Sequence, residues 1–297
     1  TPLSSSAASD VYKRQRLKIR ELLENVEGKS EFNFVTEIAE QLPLWVLCEM
    51  MGIPESDRSK IRDLVNNLTD ASIQQDPNNS FQIWVNYMEL FKMGRDMIDE
   101  RRKKPTDDLM SVVANTKVEG GDLPPELLDG FFLLMVIAGN ETTRNTLTGG
   151  LMALTENPSE REKLLKDPSL IANATDEMLR WVTSVIYFRR TATKDTNIRG
   201  QDIKAGDKII MWYGSANRDE DIFIDGHLFK VDRQNAKKHL AFGAGEHLCL
   251  GNRLGHMQIR ILFEELLKRF PNIHSVAEPV RIPSNFLAGI SELKVSI

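Results

Sequence analysis

The chain has 297 residues, of which 41% are apolar and 27% charged, with 38 basic and 43 acidic side chains and a formal charge of −5. That balance is ordinary for a soluble globular protein, and without a basic surplus it argues against nucleic acid as a partner. Cys48 and Cys249 are too few for a disulfide framework and fit a reducing cytoplasm, and the longest apolar run, Phe131 to Gly139, is far short of the roughly 20 residues that span a bilayer.

Thr1 to Gln15 is small and polar, with no apolar periodicity. It reads as a non-native leader resembling a translated adapter, which leaves residues 16–297 as one domain whose own N-terminal part is expected to be missing. Phe34 to Met51 carries apolar side chains at helical spacing until Gly52 and Pro54 stop it. Phe81 to Lys104 is a second helical stretch; its closing Arg101, Arg102, Lys103 and Lys104 are expected as a solvated last turn that complements the helix dipole.

Pro124 and Pro125 suit the first turn of a third helix, which meets no further proline until Pro158. Its length is roughly 32 residues, or about 48 Å. Leu127 to Ala138 is apolar on nearly every face, which predicts burial all round. The helix then carries Ala138-Gly139-Asn140-Glu141-Thr142-Thr143, and a carboxylate with two hydroxyls is costly in such a setting unless it has a use. A threonine there can bond back to the carbonyl one turn earlier and bend the helix, and Gly139 would let a ligand approach the backbone.

Glu177 and Arg180 share one helix face by their spacing, although such pairs are common by chance. From Arg190 to Tyr213 the residues alternate, with turns at Arg199-Gly200 and Ala205-Gly206, and predict a small antiparallel sheet. A glycine-rich loop, Phe242 to Gly251, ends beside Cys249. The helix after it buries Ile259, Leu262, Phe263, Leu266, Leu267 and Phe270, and Pro271 ends it. The fold class is therefore mainly α with a minor antiparallel β part. A lone cysteine is usually a buried structural residue, but one just before a helix gains N–H groups that favour its thiolate.

The stretch Phe242-Gly243-Ala244-Gly245-Glu246-His247-Leu248-Cys249-Leu250-Gly251 resembles the haem-ligand loop of the cytochrome P-450 family, Phe-Gly-x-Gly-x-His/Arg-x-Cys-x-Gly, at each fixed position. The resemblance implies a P-450 fold lacking its N-terminal region, and haem b with Cys249 as its thiolate ligand and Phe242 and Gly243 packed beside it. It places His239 and His247 at propionate or loop-bracing positions; otherwise His239 is an ordinary exposed histidine. Glu177 and Arg180, joined by Arg233, become a buried Glu-x-x-Arg cluster. Ala138 and Gly139 belong to an oxygen-binding groove in which Glu141 and Thr142 feed protons. Arg190, within Phe188-Arg189-Arg190-Thr191-Ala192, becomes a propionate partner, and Ser215-Ala216-Asn217-Arg218-Asp219 also matches. Val182, Val185, Ile186, Phe286 and Leu287 fall where the family lines its substrate pocket. Gly226 and Ser184 stand where proline is common and Gly255 where alanine is, which affects local loop geometry.

The implied activity is that of a monooxygenase inserting one oxygen atom from dioxygen into a C–H bond of a hydrophobic substrate. Electrons would come indirectly from NAD(P)H through a ferredoxin and ferredoxin reductase, in a cytoplasmic monomer. Lys237, Lys238, Arg253 and Arg260 flank the cysteine and suit an acidic partner, or are plain surface charge. Arg144-Asn145, Gly149-Gly150, Ser284-Asn285-Phe286 and Gly289-Ile290 resemble bacterial hydroxylases of steroid side chains, branched lipids, terpenes or alkanes. The alternatives are a peroxide-driven peroxygenase, a cysteine hydrolase using Cys249 and His247, and a non-catalytic haem binder or inert fragment.

Overall fold

The computed structural model describes residues 5–69 and 76–297. In chain order these form α1 (Ser5–Glu24), β1 (Glu31–Asn33), a π-helical turn (Val35–Ala39), α2 (Gln41–Met51), α3 (Glu55–Thr69), α4 (Ser80–Lys103) and α5 (Leu109–Asn115). The β2–β3 hairpin (Lys117–Val118, Gly121–Asp122) leads to α6 (Pro125–Glu156), α7 (Pro158–Lys166) and α8 (Ile171–Val182). Then come β4 (Tyr187–Thr191), β5 (Thr196–Ile198), β6 (Gln201–Ile203), β7 (Lys208–Trp212), α9 (Tyr213–Ala216) and α10 (Asn252–Arg269). The chain closes with β8 (His274–Ser275), β9 (Val280–Arg281), β10 (Ile290–Glu292) and β11 (Lys294–Ser296).

The strand pairs are short and antiparallel: β4 with β7, β5 with β6, β9 with β10, and β11 between β1 and β8. The turn between β5 and β6 is at the predicted Arg199-Gly200, both with positive φ (51° and 84°), the conformation that matches strand twist. The segment set apart as a leader runs into α1, where Gln15 is buried; beyond it Ile19, Leu22 and Leu23 pack in one core with Ile259, Leu262, Phe263 and Leu266 of α10.

The helix predicted over Phe34–Met51 is interrupted by the π turn. Pro43 lacks the N–H that would reach the Ala39 carbonyl, and the Glu40 N–H bonds instead to Val35 O at 2.9 Å, which widens one turn of the ladder. Gly52 closes α2 in the left-handed region (φ 72°).

Helix α6, 32 residues long, ties the molecule together. Its first half places Leu128, Phe132 and Val136 in a cluster with α2 to α5, and its second half places Leu147, Leu151 and Leu154 in the core with α8 and α10. The burial expected all round Leu127–Ala138 is not found: a single stripe is covered, and Leu127 and Leu134 are 60% and 62% exposed, because α2 to α5 pack on one side only. The basic end of α4 is not wholly solvated either. Arg101 is buried, donating to Asp108 Oδ2 (2.6 Å) and the Gly52 carbonyl (3.0 Å), so it ties α4 to the end of α2.

Candidate functional site

The most buried charges lie at the C-terminal end of α8. Glu177 and Arg180 have no exposed surface, and Arg233 is also buried. Arg180 Nε and Nη2 each reach a Glu177 oxygen at 2.7 Å, the planar fork that carboxylates accept best. Arg233 Nε adds contacts of 3.0 and 3.2 Å to the same carboxylate. The second cation is balanced by carbonyls: Arg180 donates to Asn217, Gly226 and Leu228, and Arg233 to Ile224, Asp225 and Leu228. Gly226 meets a requirement of this packing. A Cβ there would lie 2.5 Å from the Arg218 carbonyl oxygen, which leaves no room for the proline common at that place.

Asn217 passes this rigidity to the cysteine loop. Its carbonyl takes Arg180, its Nδ2 donates to Thr183 Oγ1 at 2.9 Å, and its Oδ1 accepts the Leu240 N–H at 2.7 Å. Two residues on, the loop begins at Phe242. Gly243 (φ 71°) and Gly245 (φ 67°) turn it through conformations that favour glycine, and the Cys249 N–H closes it on Phe242 O at 2.8 Å. Cys249 is exposed, and the Leu248 and Leu250 side chains beside it are 53% and 78% exposed.

The cysteine's sulfur is turned back toward Gly251. Partial burial there pushes its thiol above the ordinary value, and a hydrogen bond from the Gly251 backbone N–H opposes the shift without cancelling it. The thiolate expected from the helix N-terminus is therefore not stabilised by the protein alone. Desolvation outweighs that hydrogen bond, and a metal on the sulfur would favour the thiolate instead.

His239 is neither exposed nor free. Its Nδ1 accepts the Ala241 N–H at 3.2 Å, its Nε2 faces Asp176 Oδ1 at 3.6 Å, and its ring packs 5.6 Å from that of Phe242, so it braces the loop. His256 of α10 reaches the same Asp176 oxygen at 3.2 Å. Although burial would raise Asp176, the two imidazoles hold it down, to about 2. Asp176, His239, His256, Lys237, Arg253 and Arg260 line one side of an open groove of about 930 Å³ beneath the cysteine loop. His247 lies exposed in the short helical turn Gly245–His247, and the Arg190 guanidinium contacts its neighbour's carbonyl (3.1 Å).

On α6 the Thr142 hydroxyl donates to the Ala138 carbonyl at 2.9 Å, as the sequence predicts. Glu141, buried, is ion-paired with Arg144 one turn later. A Cβ on Gly139 would lie 3.3 Å from Leu47 Cδ1, so its missing side chain also lets α2 approach. Helix α6 and the cysteine loop meet over Gly255 of α10, where a Cβ would sit 3.8 Å from the Phe242 ring and 4.0 Å from Thr143 Oγ1.

The predicted pocket-lining residues come together with one exception. Val185 bridges to Leu287, and the Ile186 N–H donates to Phe286 O at 2.9 Å. Phe286 stands edge-on to Tyr187 and Phe188, with ring centroids 5.9 and 5.7 Å away. Val182 instead packs against Gly149 of α6, where an added Cβ would lie 2.8 Å from it. Asp176 and Asn217 are the two organising residues that sequence reasoning passed over. Neither carries a spacing signal, although Asn217 sat within a segment noted as matching.

A prosthetic group fits this arrangement. Among the described residues no three His, Cys, Asp or Glu side chains gather as a metal site, so a metal on Cys249 would need a carrier with its own ligands. The exposed leucines beside the sulfur suit an apolar ring. Among the described residues no imidazole bonds the Cys249 sulfur.

A sequence model of the family described as cytochrome P450 matches residues 66–295. The chain is 36% identical over 293 residues to a steroid C26-monooxygenase of Rhodococcus jostii, covering 98% of this chain and 60% of that one. It is 38% identical over 269 residues to a methyl-branched lipid omega-hydroxylase of Mycobacterium tuberculosis, covering 89% and 62%. The chain thus spans about three fifths of the length of these relatives. A Mycobacterium marinum cytochrome P450 solved with pseudoionone superposes with a TM-score of 0.92 at 34% identity, over 99% of this chain and 72% of that one.

Proposed function

Because the chain belongs to the cytochrome P450 family, we propose that the protein is a haem-thiolate monooxygenase with Cys249 as the iron ligand. The observation that carries this is the presentation of a single exposed thiol between exposed leucines, on a loop anchored through Asn217 to the buried Glu177–Arg180–Arg233 cluster. The net reaction takes a substrate C–H, dioxygen, two electrons and two protons to an alcohol and water. Haem, when bound, supplies the oxygen-activating iron, and thiolate ligation favours O–O cleavage.

The chain's own residues hold the group and move protons. Arg190 and His247 would meet the propionates, and Phe242 and Gly243 would pack beside the thiolate. The Thr142 hydroxyl, now given to Ala138 O, rotates to pass a proton into the cleft, and Glu141, released from Arg144 and protonated from solvent, resupplies it. Val185, Ile186, Phe286 and Leu287 bind the apolar part of the substrate and exclude water. A steroid side chain, branched lipid, terpene or alkane fits that lining, in keeping with the names of the relatives. Electrons arrive from NAD(P)H by way of a ferredoxin and its reductase in the cytoplasm, with the acidic carrier meeting Lys237, Lys238, Arg253 and Arg260. None of the described helices is long and apolar enough to cross a membrane.

The test is the spectrum of the haem-loaded, reduced protein under carbon monoxide. A strongly red-shifted Soret band that Cys249→Ser abolishes supports the assignment. A carbon monoxide complex without the shift in the unaltered protein would sink it.

A further inference from the structure

Ser184, a departure from the proline that the family resemblance leads one to expect, lies at a point where three parts of the site meet. It follows Thr183, which closes α8 in the left-handed region (φ 45°), a costly conformation for a β-branched residue. That turn is held on every side. The Thr183 N–H donates to Leu179 O at 3.0 Å, its hydroxyl donates to Arg180 O at 2.7 Å, and the same hydroxyl accepts Asn217 Nδ2 at 2.9 Å. Strain maintained by its surroundings points to a use for the geometry it creates.

The geometry drives Ser184 into α6. The residue is 7% exposed, and its Oγ lies 2.9 Å from the Thr142 carbonyl oxygen and 2.8 Å from Thr146 Oγ1. Thr146 Oγ1 is itself 2.8 Å from that carbonyl. Two hydroxyl hydrogens serve three contacts, so whichever way the Ser184–Thr146 bond runs, at least one hydrogen reaches the Thr142 carbonyl. On its other side the Ser184 backbone continues into the pocket-lining segment. Its carbonyl accepts the Ala288 N–H at 2.9 Å, next to the Val185–Leu287 bridge and the Ile186–Phe286 hydrogen bond. The two pocket-lining segments thus form one hydrogen-bonded unit, and the Ser184 side chain links that unit, directly or through Thr146 Oγ1, to the peptide of Thr142.

We propose that Ser184 is a positioning residue that couples occupancy of the pocket lined by Val185, Ile186, Phe286 and Leu287 to the Glu141–Thr142 turn. The proposal rests on the function given above. With the pocket filled, Ser184 holds the Thr142 peptide still, and the Thr142 side chain delivers its proton in register with the substrate. Without that hold, dioxygen takes the same two electrons and two protons but leaves as hydrogen peroxide, and the substrate is not oxidised. Proline lacks the hydroxyl and cannot make this link, so the coupling is particular to chains with a hydroxyl residue at this place.

The test uses the full haem-loaded chain with ferredoxin, ferredoxin reductase and NADPH, and pseudoionone or a methyl-branched fatty acid as probe. Ser184→Ala is expected to bind the probe as the unaltered protein does, by spectral titration, yet to raise the ratio of peroxide to product about threefold or more. Ser184→Thr, which keeps the hydroxyl, is expected to restore most of the coupling; a purely structural loss would not be rescued without a parallel change in probe affinity. A second readout needs no turnover. Probe binding should slow hydrogen exchange in the α6 segment 142–146 of the unaltered protein by about fivefold, the factor one hydrogen bond of ordinary net strength supplies, and not in Ser184→Ala. Equal peroxide ratios in the three proteins, or equal probe-induced protection, would overturn the proposal. If the unaltered protein turns over nothing, the functional reading fails while the exchange comparison still decides the coupling. Should Ser184→Ala not fold, Ser184→Cys, with its weaker donor, replaces it in both readouts.

Discussion

Glu177 receives both of its closest contacts from Arg180, at 2.7 Å each, with neither side chain exposed to solvent. A pair this buried is a poor source of net stability, because desolvation offsets most of the attraction, but it is costly to break. Glu177→Ala would leave Arg180 and Arg233 facing one another without their anion. The expected loss is about 3–5 kcal/mol by urea denaturation. Arg180→Lys should also fall well short of the unaltered protein, since one ammonium cannot serve the Glu177 carboxylate and three carbonyls together. A change near zero in either variant would mean that the cluster is dispensable.

Asp176 makes a prediction in pH. Burial alone would raise its carboxyl, but His239 and His256 hold it at about 2, below the ordinary 3.8. A folded-state value lower than the unfolded one means that the charged form stabilises the fold. The contribution is therefore complete above about pH 4 and lost as pH falls toward 2. Linkage makes it roughly 2 kcal/mol. The stability difference between the unaltered protein and Asp176→Asn should be fully developed just above about pH 4 and fall away as pH drops through about 2. A difference constant with pH would show that the carboxylate charge plays no part.

The two cysteines should react very differently with iodoacetamide. Burial pushes Cys48 to about 11, and it should stay unmodified in the folded protein. Cys249 is accessible but also raised, first by burial and then less the Gly251 hydrogen bond, so near neutral pH it should alkylate more slowly than free cysteine. Its rate should climb as pH passes the ordinary thiol value, and iron protoporphyrin should protect it. Fast alkylation at neutral pH would restore the view that the helix N-terminus holds a thiolate.

The long α6 helix, the Arg199-Gly200 turn and the cysteine loop were legible in the sequence because each depends on local chemistry: prolines at the ends, glycines at positive φ, a fixed spacing. The Glu177–Arg180 pair was legible as a spacing, but its depth was not, since burial depends on what else folds over it. The same limit explains Leu127 and Leu134. Apolar character all round a helix predicts burial, yet cover comes from other elements, and here it comes from one side. The Leu47 side chain that lies against Gly139 was not legible either, because it is a contact between residues far apart in sequence. Asp176 and Asn217 act through loops that reach them from residues 239–256, which no periodicity could announce.

Two glycines, Gly255 and Gly226, give opposite predictions. Gly255 lies in the first turns of α10, where a Cβ would meet Phe242 and Thr143 at 3.8 to 4.0 Å, ordinary contact distances. Gly255→Ala should therefore stabilise the protein by about 0.5–1 kcal/mol, because alanine loses less backbone entropy in a helix. Gly226 has no such room. A Cβ would press to 2.5 Å on the Arg218 carbonyl oxygen, and Arg218 is fixed through its guanidinium to the Trp181 carbonyl at 2.9 Å. The backbone of residue 226 would have to move, and its carbonyl is one of the three that Arg180 needs. Gly226→Ala should cost about 1–3 kcal/mol. Thermal denaturation of the two variants side by side decides the matter: a Gly226→Ala protein as stable as Gly255→Ala would mean that the loop carrying Gly226 yields freely and does not hold Arg180.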